Sequence, residues 1–191
     1  ERKEDLALLM AKEMGKKLEH GRAEIDLVAE IFDFYAEEGE SLLAPEKIST
    51  RDGEGMMLSQ PVGIIYGIQP WNFPFYQPGR CTAPNLIAGN VVLTKHASNV
   101  PQCAEAFEQI MKDAGTPEGV YTNLAVSARN AGAIIDDDRV QGVSFTGSNA
   151  GGAKVGEQAG RNVKKTVMEL GGVDPFIVLD CIRLTRCSGH V

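Results

Sequence analysis

Pro61-Val62-Gly63-Ile64-Ile65-Tyr66-Gly67-Ile68-Gln69-Pro70-Trp71-Asn72-Phe73-Pro74 holds the strongest structural signal in the chain. Its first half is a short apolar run with β-branched Val62, Ile64, Ile65 and Ile68 between turn formers, the pattern of a buried strand. In its second half Pro70 and Pro74 bracket Trp71, Asn72 and Phe73, which stiffens the backbone leaving the strand and holds Asn72 in one orientation. Open α/β sheets bind their ligands at that carboxyl end of a strand. An amide fixed beside aromatic surface can donate hydrogen bonds to an oxyanion, and loss of one such donor costs about 10²–10³ in rate. The alternative on these residues alone is a proline-rich loop with a packed Trp71 and an Asn72 that satisfies turn backbone.

Upstream, Leu6, Leu9, Met10, Met14 and Leu18 recur at helical spacing, and Ile25, Val28, Ile31, Phe32 and Tyr35 form the buried face of a second helix over 23–40. The charges between them read as solvated faces. Residues 42–54 read as a loop and 56–60 as a short strand. Downstream the chain alternates. A helix over 75–88 stops at Gly89-Asn90, a strand covers 91–94, and a helix from Pro101 to about residue 114 stops at Gly115. Strand 120–126, short helix 128–136, strand 140–145, a helix after Gly147, and strands 165–168 and 176–179 follow. Such alternation predicts an α/β fold: a Rossmann-like parallel sheet with helices on both faces, preceded by two helices.

Composition narrows the function classes. The 191 residues can bury a sizeable core, and 43% hydrophobic with 24% charged residues suits a soluble globular domain. A net charge of −7 with no basic stretch argues against nucleic acid and against an anionic membrane surface. No apolar run approaches a membrane span or a signal-peptide core. Cys81, Cys103, Cys181 and Cys187 show no C-x-x-C pairing, which points to thiols in a reducing, cytoplasmic setting. Neither His96 nor the Cys187/His190 pair has metal-site spacing, so no metal is expected. The chain opens at Glu1 inside a helical pattern, and a preceding segment is expected.

Two further motifs carry chemistry. Thr146-Gly147-Ser148-Asn149-Ala150-Gly151-Gly152-Ala153-Lys154 follows a strand and opens a helix, where free amides suit a phosphate. Gly147 and Gly152 have P-loop spacing, but Ala153 displaces Lys154 and Val155 stands where a magnesium-binding hydroxyl belongs. The G-x-G-x-x-G fingerprint fails as well, so a purely structural turn stays open. Glu169, ahead of Leu170-Gly171-Gly172, is either a general base in apolar surroundings or a cap or ion-pair partner. Lys95 either contacts a phosphate or ribose or covers a sheet edge.

Pro70-Trp71-Asn72-Phe73-Pro74, Lys95-His96-Ala97-Ser98, Phe145-Thr146-Gly147-Ser148 and Glu169-Leu170-Gly171-Gly172, in this order and at these separations, resemble the aldehyde dehydrogenase superfamily. The stretches 95–101 and 172–176 look most like succinate-semialdehyde dehydrogenases. The resemblance implies a cysteine thiolate that attacks an aldehyde, Asn72 as donor to the resulting oxyanion, and Glu169 as the base that activates water. It implies NADP or NAD as cofactor, lined by Ile68, Pro70 and Trp71. Lys95 would bond the ribose or 2′-phosphate, and Gly147, Ser148 and Gly152 would lie beside the pyrophosphate, with Leu170 and Gly171 nearby. Ser98 stands where NAD-preferring members often carry Glu, which leaves room for a 2′-phosphate and favours NADP.

The same resemblance marks departures. It places the nucleophilic cysteine well downstream of Glu169, so residues 1–180 are expected to be an NAD(P)-binding domain incomplete at its N-terminus, residues 181–191 a divergent tail, and the catalytic-cysteine domain absent. Cys181 and Cys187 are not expected to be the nucleophile. Codons for Arg183 to Arg186 read one base out of step can give Leu-Asp-Lys, which continues the family pattern and suggests a frameshift near Asp180. Full-length relatives are expected to form homo-oligomers through strands this chain lacks in part. Three functions follow: the cofactor-binding part of an enzyme acting on a small aldehyde, a non-catalytic dinucleotide-binding protein, and, least favoured, a P-loop hydrolase.

Overall fold

The computed structural model describes residues 2–175 and residue 177. The strand expected over 176–179, the tail over 181–191, and Cys181, Cys187 and His190 lie outside the described residues.

Two helices lead the chain. α1 (Lys3–Met14) ends at Gly15, whose φ of +75° lets its N–H turn back to the Ala11 carbonyl. The periodic run expected through Leu18 is therefore broken: α2 (Leu18–Leu42) begins at Leu18, which is 40% exposed rather than core. The two helices cross at Gly21, where an added Cβ would sit 3.1 Å from the Ala7 Cα. The expected loop over 42–54 contains β1 (Glu46–Ser49), which forms an antiparallel hairpin with β2 (Glu54–Met57), a strand that starts and ends earlier than the one expected over 56–60. Almost every residue of this hairpin is exposed, so it lacks the in-out alternation that marks a half-buried strand.

The remaining elements are β3 (Ile64–Ile68), α3 (Tyr76–Ile87), β4 (Val91–Lys95), α4 (Pro101–Asp113), β5 (Tyr121–Asn123), α5 (Ala131–Asp136), β6 (Val140–Thr146), α6 (Asn149–Arg161) and β7 (Lys165–Glu169). Five strands form one parallel sheet in the order β5-β4-β3-β6-β7. The central β3 is buried on both faces, as the continuous apolar run of its sequence requires.

Each face of the sheet has its own core. On one side Leu6, Met10, Phe75, Val92, Val100, Phe107, Met111 and Tyr121 pack together, joining α1, α3 and α4 to the strands. On the other, Tyr66, Ile135, Val140, Val143 and Ala159 join α5 and α6. Each large side chain fully removed from water, such as Phe75, stabilises the fold by roughly 1.5–3 kcal/mol. The chain winds outward through β4 and β5, then returns to the other side of β3 with β6. That reversal between β3 and β6 is the switch point at which doubly wound sheets open a crevice.

Candidate functional site

Parallel strands put all their carboxyl ends on one edge, so the segments after β3, β4, β6 and β7 converge there. The segment after β3 carries Asn72, whose side chain is exposed and makes no hydrogen bond among the described residues. Its flanks are tied down. The Gln69 N–H donates to the Lys95 carbonyl at 2.9 Å, and the Gln77 N–H donates to the Phe73 carbonyl at 3.0 Å. His96 Nε2 lies 3.0 Å from the Pro74 carbonyl, and because a carbonyl only accepts, Nε2 carries the proton. The Phe75 and Tyr76 N–H groups donate to Glu24 Oε1 at 2.8 and 3.0 Å. Glu24 is also ion-paired with Lys16, whose ammonium stands 3.8 Å from the centroid of the Phe73 ring.

Glu24 corrects an expectation, for it lies not on a solvated helix face but 3% exposed against the start of α3. Sequence spacing could not single it out among the acidic residues of α2. Trp71 is 49% exposed rather than packed, and Pro70 and Ile68 are half-buried beside it.

At the end of β7 the Glu169 side chain is 51% exposed and paired with Arg80 at 3.3 Å. The ion-pair alternative for Glu169 is thus the arrangement found. Arg80, which the motifs did not mark, also donates to Gln77 Oε1 at 3.1 Å and to Thr146 Oγ1 at 3.3 Å. It shares a face of α3 with Gln77 at i, i+3 spacing, the one signal that could have found it. Arg80, Glu169, Cys81 and Ser144 help to line a groove of about 430 Å³ between α3, β6 and β7.

Lys95 ends β4, an interior strand, so it covers no sheet edge. It is buried, its ammonium donates to the His96 carbonyl at 3.0 Å, and burial holds its pKa below the ordinary value. Ser98 is exposed just beyond it. Burial likewise brings the His96 imidazole down to about 4.

After β6, the Gly147 N–H donates to the Glu169 carbonyl at 3.0 Å. Ser148 Oγ accepts from the Gly151 N–H at 3.2 Å and caps α6. A Cβ on Gly147 would approach the Phe145 ring to 2.7 Å, and one on Gly152 would come 2.4 Å from Leu170 Cδ2. These glycines let the helix start lie tight against Phe145 and Leu170, while an added Cβ on Gly171 would meet Asn149 at an ordinary 3.7 Å. The first-turn amides of Asn149 and Ala150 have no intrahelical acceptor, which leaves a site suited to phosphate oxygens. Both described cysteines are buried, and burial pushes the Cys81 and Cys103 thiols above their ordinary pKa.

Asn72, Lys95, Ser148 and Glu169 thus lie at or just beyond the carboxyl ends of the strands around a switch point, and the model of the aldehyde dehydrogenase family matches residues 1–188. The chain belongs to the aldehyde dehydrogenase family. It is 50% identical over 180 residues to the NADP(+) succinate-semialdehyde dehydrogenase of Deinococcus radiodurans, covering 94% of this chain and 38% of that protein. Against the NAD(P)+ succinate semialdehyde dehydrogenase of Escherichia coli, identity is 43% over 94% of this chain and 39% of the relative. Among solved structures, succinic semialdehyde dehydrogenase from Streptococcus pyogenes, in complex with NADP+, superposes with a TM-score of 0.89 at 42% identity, over 96% of this chain and 40% of that one. This aldehyde dehydrogenase chain therefore spans about two fifths of the length of these relatives. Among the described residues no helix is long and apolar enough to cross a membrane.

Proposed function

We propose that the chain is the dinucleotide-binding part of an NAD(P)-dependent aldehyde dehydrogenase that converts succinate semialdehyde to succinate. The observation that carries this is the placement, on the carboxyl-end side of the strands around one switch point, of an exposed Asn72 on a clamped loop, a buried Lys95, the free amides opening α6, and Glu169. The residues fit the cofactor: Gly147 and Gly152 keep the start of α6 open to close approach, and Lys95 has ammonium protons beyond the one given to His96. Bound there, NADP+ supplies the hydride acceptor. Asn149 and Ala150 amides would hold its pyrophosphate, Lys95 its ribose or 2′-phosphate, and Ile68, Pro70 and Trp71 its flank. The small Ser98 favours NADP over NAD.

Asn72 donates to the oxyanion that forms when a thiolate adds to the aldehyde carbonyl. Glu169, turning from Arg80, takes a proton from the water that releases the acid. Neither Cys81 nor Cys103 suits the thiolate role, since burial keeps both protonated. The nucleophile in this proposal lies downstream of Glu169, outside the described residues. The Arg80 guanidinium beside Glu169 offers a charge partner to a substrate that carries its own carboxylate.

Trp71 is the sole tryptophan, so its fluorescence reports on the site directly. Titration with NADPH is expected to quench it saturably, and Lys95→Ala to weaken binding at least tenfold, about 1.4 kcal/mol. No saturable binding by fluorescence or calorimetry would remove the proposal. The burial of both described thiols favours a second reading, a dinucleotide-binding protein without turnover. NADPH binding with no NADPH production from NADP+ and succinate semialdehyde in the protein as the gene naturally makes it would support it, whereas turnover there would favour the first.

A further inference from the structure

We infer that Lys16 and Glu24 are positioning residues that aim Asn72 from behind, an inference that rests on Asn72 being the oxyanion donor. Asn72 has no side-chain partner among the described residues, so its direction is set by the backbone on either side. Each of the next three residues is held by a different buried or partly buried group. The Lys16 ammonium lies over the Phe73 ring, His96 donates to the Pro74 carbonyl, and Glu24 accepts the Phe75 N–H. Glu24 takes the Tyr76 N–H with the same oxygen, which fixes where α3 begins.

An ion pair this deeply buried, with the Glu24 side chain 0% and Lys16 7% exposed, is a weak device for stability alone, because an apolar pair of similar volume joins helices as well. What an apolar pair cannot do is accept two backbone N–H groups. The pair therefore carries the α1–α2 connection to the loop, and a displacement of about 1 Å at a reacting group can cost about 10²-fold in rate.

Trp71, next to Asn72, supplies the test in the 191-residue chain itself. Glu24→Ala, with far-UV circular dichroism unchanged, is expected to give Trp71 a fast anisotropy decay with at least about twice the wild-type amplitude, reflecting local release of the loop. Glu24→Gln, which keeps an acceptor oxygen, is expected to restore most of the wild-type decay. A Glu24→Ala variant that melts earlier but leaves Trp71 unchanged would show a purely structural role and overturn the inference. If that variant does not fold, amide exchange in the unmodified chain decides. Phe75 and Tyr76 protected about 10²-fold over Asn72 supports the clamp, and equal exchange overturns it. A parallel NADP+ titration separates the two ideas: a wild-type chain that binds no NADP+ while Glu24→Ala frees Trp71 rejects the function and keeps the clamp.

Discussion

His96 Nδ1 is buried and meets no partner among the described residues, while Nε2–H is committed to the Pro74 carbonyl. The groups facing the ring are that carbonyl, Lys95 and Glu13; burial, aided by the Lys95 charge, outweighs the Pro74 carbonyl and Glu13 and lowers the pKa to about 4. In the unfolded chain the imidazole titrates near 6.5, so between these values the unfolded state binds the extra proton. The stability His96 contributes is complete above about pH 6.5 and is lost as pH falls toward 4, by up to about 3 kcal/mol. Urea unfolding at pH 7 and pH 4.5 should show a smaller loss for His96→Gln, which can donate to Pro74 but gains no proton; equal losses would reject this role. Asn72→Ala is expected to keep cofactor affinity within about twofold and, in an enzyme that includes the nucleophile, to lower turnover about 10²–10³-fold. The places of Asn72, Lys95 and Glu169 were legible because Lys95 and Glu169 end strands and Asn72 follows one four residues on, each in a recognisable motif; their roles belong to the proposal. Glu24 and Arg80 were not, since Glu24 acts on a backbone 51 residues away and Arg80 on Thr146, 66 residues away.

The αL turn at Gly15 separates α1 from α2, and a Cβ there would meet nothing within 4 Å. Gly15→Ala should therefore cost only the backbone strain, about 1 kcal/mol in thermal or urea unfolding. Gly21 is the contrasting case, since its missing side chain lets α2 rest on the Ala7 backbone. Gly21→Leu is expected to cost about 3 kcal/mol by prising the helices apart, while Gly21→Ala, needing a few tenths of an ångström, should cost much less. Strand and helix order from β3 to β7 follows directly from apolar runs broken by Gly and Pro. The α1–α2 boundary escaped because glycine spacing alone does not reveal a positive φ, and β1 and the bounds of β2 because these exposed strands bury no face.

At the scale of the whole molecule, β7 stands at the edge of the sheet among the described residues with Val167 exposed, and Val163, Leu170, Val173 and Ile177 add apolar surface around it. Such an edge invites pairing with another chain. Sedimentation is expected to show mass rising with concentration, and Val167→Lys to reduce it; a concentration-independent monomer would reject this. The two cores also differ in when their residues become available. Every member of the cluster from Leu6 to Tyr121 precedes β6, whereas the opposite cluster needs Ile135 through Ala159. During synthesis on a ribosome, α1 through β5 can therefore collapse as a half-sheet before the other face has any partner. For a time the outer side of Tyr66 and Leu93 stands bare, and nascent-chain protease protection should rise in two steps, the second only after α6 emerges.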